Sequence, residues 1–294
     1  MKAKSVDKFF NSILYIVSIF IILLLISLIS YIIFNGRNFL RFEFLFGNPK
    51  IGEAGGGIGP QLFNSFYMLI ISLLITVPLG VGAGIYLAQY AKNKRLLYII
   101  RLCLETMSSL PSIVVGLFGL LVFVKATGWG FTLLSGSVAV AIINLPGLTR
   151  VSENAIISSA SLVEEASLGL GATRWQTIKK VVLPSAMPQI LTGVILASGR
   201  IFGEAAALLY TAGMSAPILN IHSNVTSKSF PLNLMRPAET LSVYIWQLNS
   251  EGMVPDAAQI ANGAAAVLII MVLIFNIFSR IIGNKIYKKY TGSK

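Results

Sequence analysis

The chain has 294 residues, 55% hydrophobic and 12% charged, with a mean hydropathy of +0.78, a balance that excludes a water-soluble domain of this size. Lys+Arg 23 against Asp+Glu 11 gives a formal charge of +12, which in a membrane chain is a question of topology before it is one of nucleic acid. A single cysteine, Cys103, and a single histidine, His222, exclude an intrachain disulfide, a Cys/His metal cage and a His-based triad, and without a Gly-Lys dipeptide there is no Walker A loop, so any nucleotide chemistry belongs to another polypeptide.

Residues 9–36 carry no charge and follow a short basic leader with Lys2, Lys4 and Lys8. Their length predicts a membrane-spanning helix. A cleaved signal would need a small-residue site after a shorter apolar run, and Tyr31-Ile32-Ile33-Phe34 offers none, so an uncleaved anchor is expected. The glycine-rich segment 52–60 reads as a hinge that detaches this helix from the rest.

Further apolar stretches lie within 54–91, 106–124, 126–149, 181–213 and 257–279, which makes six spans. Pro78 and Gly80, and then Pro111 and Gly116, are expected to interrupt their helices. With the amino terminus inside, the inner segments hold 16 of the 23 basic residues and the outer segments 6, with Arg200 left in a span. The positive-inside bias therefore predicts cytoplasmic termini at both ends.

The stretch 91–105 carries Arg101 and Glu105, spaced for a juxtamembrane i,i+4 ion pair, with Cys103 as a small apolar filler between them. Arg150 and Glu153 follow Pro146 at the inner end of the fourth span, as a positive-inside anchor or a salt bridge bracing the next loop. That inner loop carries two capping boxes, Ser161 with Glu164 and Thr173 with Gln176. They predict two short helices meeting at Gly171, the first ended by that glycine, the second holding Lys179 and Lys180 in its last turn and stopped by Pro184. Capping boxes alone are also compatible with an ordinary connecting loop.

In the fifth span Arg200 and Glu204 are the only charges inside any predicted span, four residues apart on one helical face. Ionisable groups at that depth should face protein or a watery pathway. A guanidinium there suits an oxyanion through two parallel N–H donors, while an Arg–Glu pair locking two helices fits the same residues. The outer loop 214–256 is the longest outside segment. It places Tyr244 and Trp246 for an interfacial aromatic belt, with a short helix near 240–248 and His222 without a partner.

Two resemblances sharpen this reading. Glu165-Ala166-Ser167, then Gly171, then Val181-Val182-Leu183-Pro184 resembles the EAA signature of ABC-importer permeases, with Ser167 for Ala and Val181 for Ile. The resemblance implies that Glu165, Ala166, Ser167, Gly171, Leu183 and Pro184 belong to a coupling region docking a separate ATPase subunit. Residues 199–213, Gly-Arg-Ile-Phe-Gly-Glu-Ala-Ala-Ala-Leu-Leu-Tyr-Thr-Ala-Gly, resemble the fifth-span signature of the PstA family of phosphate-importer permeases, departing at Ala205 for Thr and Ala207 for Pro. Gly59-Pro60, the run Pro78-Leu79-Gly80-Val81 and the run Leu110-Pro111-Ser112 support it, and the similarity covers about residues 55–282.

The resemblance implies an all-α, six-span type I permease in a prokaryotic cell membrane, forming half of a phosphate pathway in which Arg200 pairs with the anion and Glu204 holds Arg200 or accepts from a protonated phosphate oxygen. It implies three regions: 1–60 with the first helix and glycine-rich loop, a permease domain at 61–283 carrying the 161–184 loop, and a basic tail at 284–294. The implied partners are ATP-binding subunits, a second permease subunit and an extracytoplasmic phosphate-binding protein, with no cofactor, no metal and no catalysis by this chain. The sister permease, a sulfate or molybdate permease and an ion-coupled secondary transporter remain the alternatives.

Overall fold

The computed structural model describes residues 2–50, 52–252 and 254–291; the last three residues of the basic tail lie outside them. Among the described residues the fold is helical, with only an isolated bridge between Pro49 and Gly56 outside helices and turns.

Five stretches are long and apolar enough to cross a membrane, and a bent pair of helices completes a sixth. Helix α1, Lys2–Gly36, lies along α11, Ala257–Thr291, and otherwise exposes its Leu, Ile and Phe side chains, as a lipid-facing helix must. A short helix α2, Phe42–Phe46, leads to the glycine-rich segment. That segment is tied down, not a free hinge: Gly57 N–H donates to Asn48 O (2.9 Å), Ile58 N–H to Phe44 O (2.8 Å) and Gly55 N–H to Asp256 Oδ2 (2.9 Å).

Helix α3, Gly59–Ile85, runs unbroken through Pro78 and Gly80 and widens into a π turn at Tyr86–Tyr90. It packs along α6, Leu133–Gly169, which likewise runs through Pro146. The approach is so close that a Cβ on Gly84 would stand 2.6 Å from Ser152 Cβ, so only glycine fits at this crossing, as in other small-residue membrane interfaces.

Between them, Asn93 caps α4, Lys94–Ser109, by accepting from Arg95 N–H at 3.0 Å and Leu96 N–H at 3.3 Å. The predicted third span is broken at Pro111: α4 meets α5, Ser112–Gly119, and its π extension Leu120–Ala126 at 98°. Proline disfavours the helical region for the residue before it, and Leu110 is extended, at ψ 131°. Of the interruptions expected from sequence, Pro111 breaks its helix, whereas Pro78, Gly80 and Gly116 do not.

The predicted helix start at Ser161 is not formed. Ser161 lies inside α6, and its Oγ donates to Ser158 O at 2.9 Å. A capping box acts only where the upstream backbone leaves the helix, and here 133–160 carries the ladder past it. Helix α6 closes at Leu170 with Gly171 at φ +83°, its N–H donating to Leu168 O (2.9 Å). That conformation costs glycine nothing.

The second predicted box is real: Thr173 Oγ1 accepts from Gln176 N–H (3.3 Å) while Gln176 Oε1 accepts from Thr173 N–H (2.9 Å), starting α7, Arg174–Thr177. Pro184 does not stop this second helix. A π turn at Ile178–Val182 absorbs its missing donor, and the rod continues as α8, Leu183–Gly203. Lys179 and Lys180 therefore sit in the π turn near the start of the rod, with helix continuing beyond them.

The helix expected to run to Gly213 ends at Gly203, with Glu204 extended at ψ 119°. A four-residue α9, Ala206–Leu209, follows, then the outer loop and α10, Leu241–Glu251. One apolar core, including Met68, Leu133, Phe202, Leu208, Leu241 and Ile260, fills the end of the bundle that carries α10. A smaller one, of Ala155, Ile156, Ala160, Val182, Ala186 and Ile190, joins α6 to the α8 rod near the inner loop.

Candidate transport and coupling sites

Arg200 sits in the last turn of α8 with its side chain exposed, and it makes no hydrogen bond or ion pair with any described residue. Glu204 is only 8% exposed and does not reach back to it. Because the helix ends between them, the two are not stacked one turn apart. The Glu204 carboxylate accepts from Ala207 N–H at 3.1 Å, at the start of α9. Its carbonyl accepts from Ser242 Oγ at 2.7 Å, at the start of α10. Glu204 is thus a knot joining α8, α9 and α10, and it leaves the guanidinium four residues earlier open to an outside partner.

Beside this knot lies a buried polar cluster that was not expected from the sequence. Arg236 is wholly buried: Nη2 donates to Asn64 Oδ1 (2.7 Å), Nε to Pro231 O (3.0 Å) and Nη1 to Pro237 O (3.1 Å). Burial pulls its pKa down to about 10. Asn64 Nδ2 in turn donates to Glu239 O (2.8 Å), Gln61 Nε2 to Glu239 Oε2 (2.9 Å), and Leu241 N–H to Ser65 Oγ (2.9 Å). These bonds fasten the outer loop to the first turns of α3.

The chain does carry a signal for it. Gln61, Asn64, Ser65, Met68, Ser72 and Thr76 recur at three- and four-residue spacing along an otherwise apolar span and are all buried, a polar stripe that must meet protein. Arg236 and Glu239, by contrast, look in the sequence like two ordinary charges of an outer loop. Tyr244 is likewise buried at 8% exposure against this cluster instead of lying in an aromatic belt, whereas Trp246 is exposed. His222 is exposed, and so is Cys103, which fills no core space within this chain.

The inner end is built from α6 and the α8 rod. Ser167 and Thr177 hydroxyls hydrogen-bond at 2.9 Å across the Gly171 turn, and Gln89 Nε2 reaches Glu164 Oε2 at 3.3 Å. At the tip, Leu170 is 90% and Trp175 57% exposed, flanked by exposed Glu165, Ala166 and Gly171. Leu183 and Pro184 lie half-buried at the root of the rod.

Behind the tip the expected ion pairs exchange partners: Arg101 pairs with Glu153, and Arg150 with Glu105, both between α4 and α6. Among the described residues no cluster of His, Cys, Asp or Glu is arranged to hold a metal ion.

Five helices long and apolar enough to cross a membrane, with a bent pair for a sixth span, define a polytopic membrane protein. The chain belongs to the family of binding-protein-dependent transport system inner membrane components, whose family model matches residues 80–292, and it is an ABC importer permease subunit of the inner membrane. It is 52% identical over all 294 residues, end to end in both chains, to the probable ABC transporter permease protein YqgI of Bacillus subtilis (strain 168). It is 34% identical over 242 residues to the phosphate transport system permease protein PstA of Pasteurella multocida (strain Pm70), covering 81% of this chain and 80% of that one. Among solved structures, a chain of a bacterial alginate ABC transporter in complex with an alginate-bound periplasmic protein superposes with a TM-score of 0.64 over 95% of each chain at 18% identity, a likeness of fold.

Proposed function

We propose that this chain forms one half of an inorganic phosphate pathway, driven by a separate ATPase that docks at residues 161–184. The observation that carries the reading is Arg200, a cation in a membrane-spanning helix with no partner among the described residues. Such a charge is costly unless it faces water or a counter-charge, and a guanidinium matches a tetrahedral oxyanion by parallel N–H donors. The similarity to PstA over four-fifths of the chain supports phosphate among the oxyanions.

Glu204 acts through position: by fixing the α8–α9–α10 junction it sets where Arg200 points. At the other end, exposed Leu170 and Trp175 beside Glu165 form the surface the ATPase subunit grips, and Ser167, Gly171, Leu183 and Pro184 shape the turn and rod that transmit its closure. Both termini lie in the cytoplasm, in keeping with the excess of Lys and Arg on that side. A second permease subunit completes the pathway, and a binding protein delivers phosphate to the outer loops. Residues 61–283 act as the permease domain, with 1–60 as its appended helix and loop and 284–294 as a basic tail.

The test is ATP-dependent uptake of labelled phosphate into vesicles carrying the full assembly. Arg200→Gln should abolish uptake while the ATPase subunit stays bound. Normal transport by this variant rules out the anion role. Uptake of sulfate or molybdate in place of phosphate reassigns the substrate.

A further inference from the structure

In the outer half, a cavity of about 150 Å³ opens between Lys50, Gln61 at the head of α3, Met214 and Glu239 of the outer loop, and Tyr244 and Leu248 of α10. Two of its walls are polar side chains that are almost fully buried: Gln61 is 1% exposed and Glu239 3%. Their mutual bond, Gln61 Nε2 to Glu239 Oε2, fixes both groups. Among the described residues it leaves Gln61 Oε1 and Glu239 Oε1 buried and without a donor. Buried acceptors are nearly always satisfied, and a carboxylate without a donor is the costliest kind to leave bare. The buried cation nearby does not serve: the Arg236 hydrogen bonds go to Asn64, Pro231 and Pro237, and none reaches Gln61 Oε1 or Glu239 Oε1.

When the Glu239 carboxyl is ionised, what the pair lacks is a hydrogen-bond donor, and opposite charge favours a positive one. Two oxygens are too few for a hard metal ion, which takes six or more. An ammonium group carries three N–H donors on a compact head. The lining also includes polar Ser215 and Gln247, while Met214, Leu248 and the Tyr244 ring suit an alkyl stem and a cation over an aromatic face.

We infer that this cavity is a binding site for one primary ammonium group, held by Glu239 Oε1 and Gln61 Oε1. The group has two sources, a free alkylammonium or the chain's own Lys50, which stands at the mouth. In this structure the Lys50 Nζ lies 3.8 Å from Glu53, and both side chains are more than half exposed, so little holds it there. The site is independent of which anion the permease carries.

The experiment uses the full chain in lipid nanodiscs, titrated with methylammonium chloride and followed by its unfolding midpoint. Burial pushes the Glu239 carboxyl up to about 7, so the titration is run at about pH 8. A free site gives a midpoint that rises with methylammonium concentration in the unaltered chain. A site filled by Lys50 gives that rise only in Lys50→Met. In either case Glu239→Gln, which keeps the shape and the Gln61 bond, removes the rise. So does Met214→Trp, which narrows the cavity at a half-exposed position and spares the core. No rise in either background overturns the inference, as does an equal rise with tetramethylammonium, which has no N–H to donate, or a rise that survives Glu239→Gln.

Discussion

Arg101 on α4 donates through Nε to Glu153 Oε1 on α6 at 3.1 Å, passing over Glu105 one turn along its own helix, which is taken instead by Arg150. The two pairs bind the amphipathic helix before the Pro111 bend to the long helix that ends at the coupling turn. They differ in burial: Glu153 is 4% exposed at the side chain, whereas Arg150 and Glu105 are 46% and 58% exposed.

Arg101→Gln should therefore destabilise the chain by roughly 1–3 kcal/mol, because it leaves a buried carboxylate short of its donor. Glu105→Gln should cost under about 1 kcal/mol, as exposed pairs do. Unfolding midpoints in detergent for the two single variants, with double-mutant cycles, decide it; equal costs would show that burial does not separate the pairs.

At the turn between α6 and α7, Gly171 has φ +83° and its N–H is bonded to Leu168 O. Gly171→Ala should cost about 1–2 kcal/mol through the left-handed backbone, and Gly171→Asn less, since asparagine visits that region more readily. Gly171→Pro forbids the conformation and deletes the donor. It is expected to release the ATPase subunit on co-purification while phosphate-pathway residues stay in place. Full retention of the subunit by the proline variant refutes the turn's docking role.

Arg236 anchors the 214–240 loop through three acceptors, Pro231 O, Pro237 O and Asn64 Oδ1. Arg236→Met should lose roughly 1–3 kcal/mol, because it leaves the buried Asn64 Oδ1 and two carbonyls without their donor. Arg236→Lys should rescue only part of this, because an ammonium cannot span the fork. Limited proteolysis of the 214–240 segment in membranes reads the outcome: faster cleavage in both variants is expected, and unchanged rates in Arg236→Met contradict it.

Burial pushes the Glu239 carboxyl up from 4.5 to about 7, with the Gln61 hydrogen bond opposing and Glu251 adding. The folded chain thus holds this proton more tightly than the unfolded one. The stabilisation is complete below the unfolded value and is lost as pH rises through about 7. With no ammonium in the cavity, the unfolding midpoint should fall between about pH 5 and pH 8 by an amount worth roughly 2–3 kcal/mol. Glu239→Gln should flatten that fall. A slope that persists in the variant assigns the titration to another group.

Sequence by itself determined what depends on composition and on the nearest few residues. Apolar length set the spans, because a stretch of twenty apolar residues has no other way to avoid water. Thr173 with Gln176 set a helix start, and Gly171 set a helix end, because caps are made within one turn of backbone. The same local rule failed at Ser161, where the ladder was already running, and at Pro184, where a π turn took up the missing donor.

What only the tertiary structure decided are the relations between residues distant in the chain. Four charges spaced for local pairing on α4 and α6 pair across the two helices, because the fold lays α4 against α6 and brings each to the other's counter-charge. Arg200 and Glu204, neighbours on a continuous helix, are parted because the helix stops at Gly203 and Glu204 bonds to α9 and α10 instead. The Arg236 cluster and the Glu239–Gln61 cavity join positions some 175 residues apart in sequence. Burial of a polar group is a property of the packed chain, and no window of sequence contains its partners.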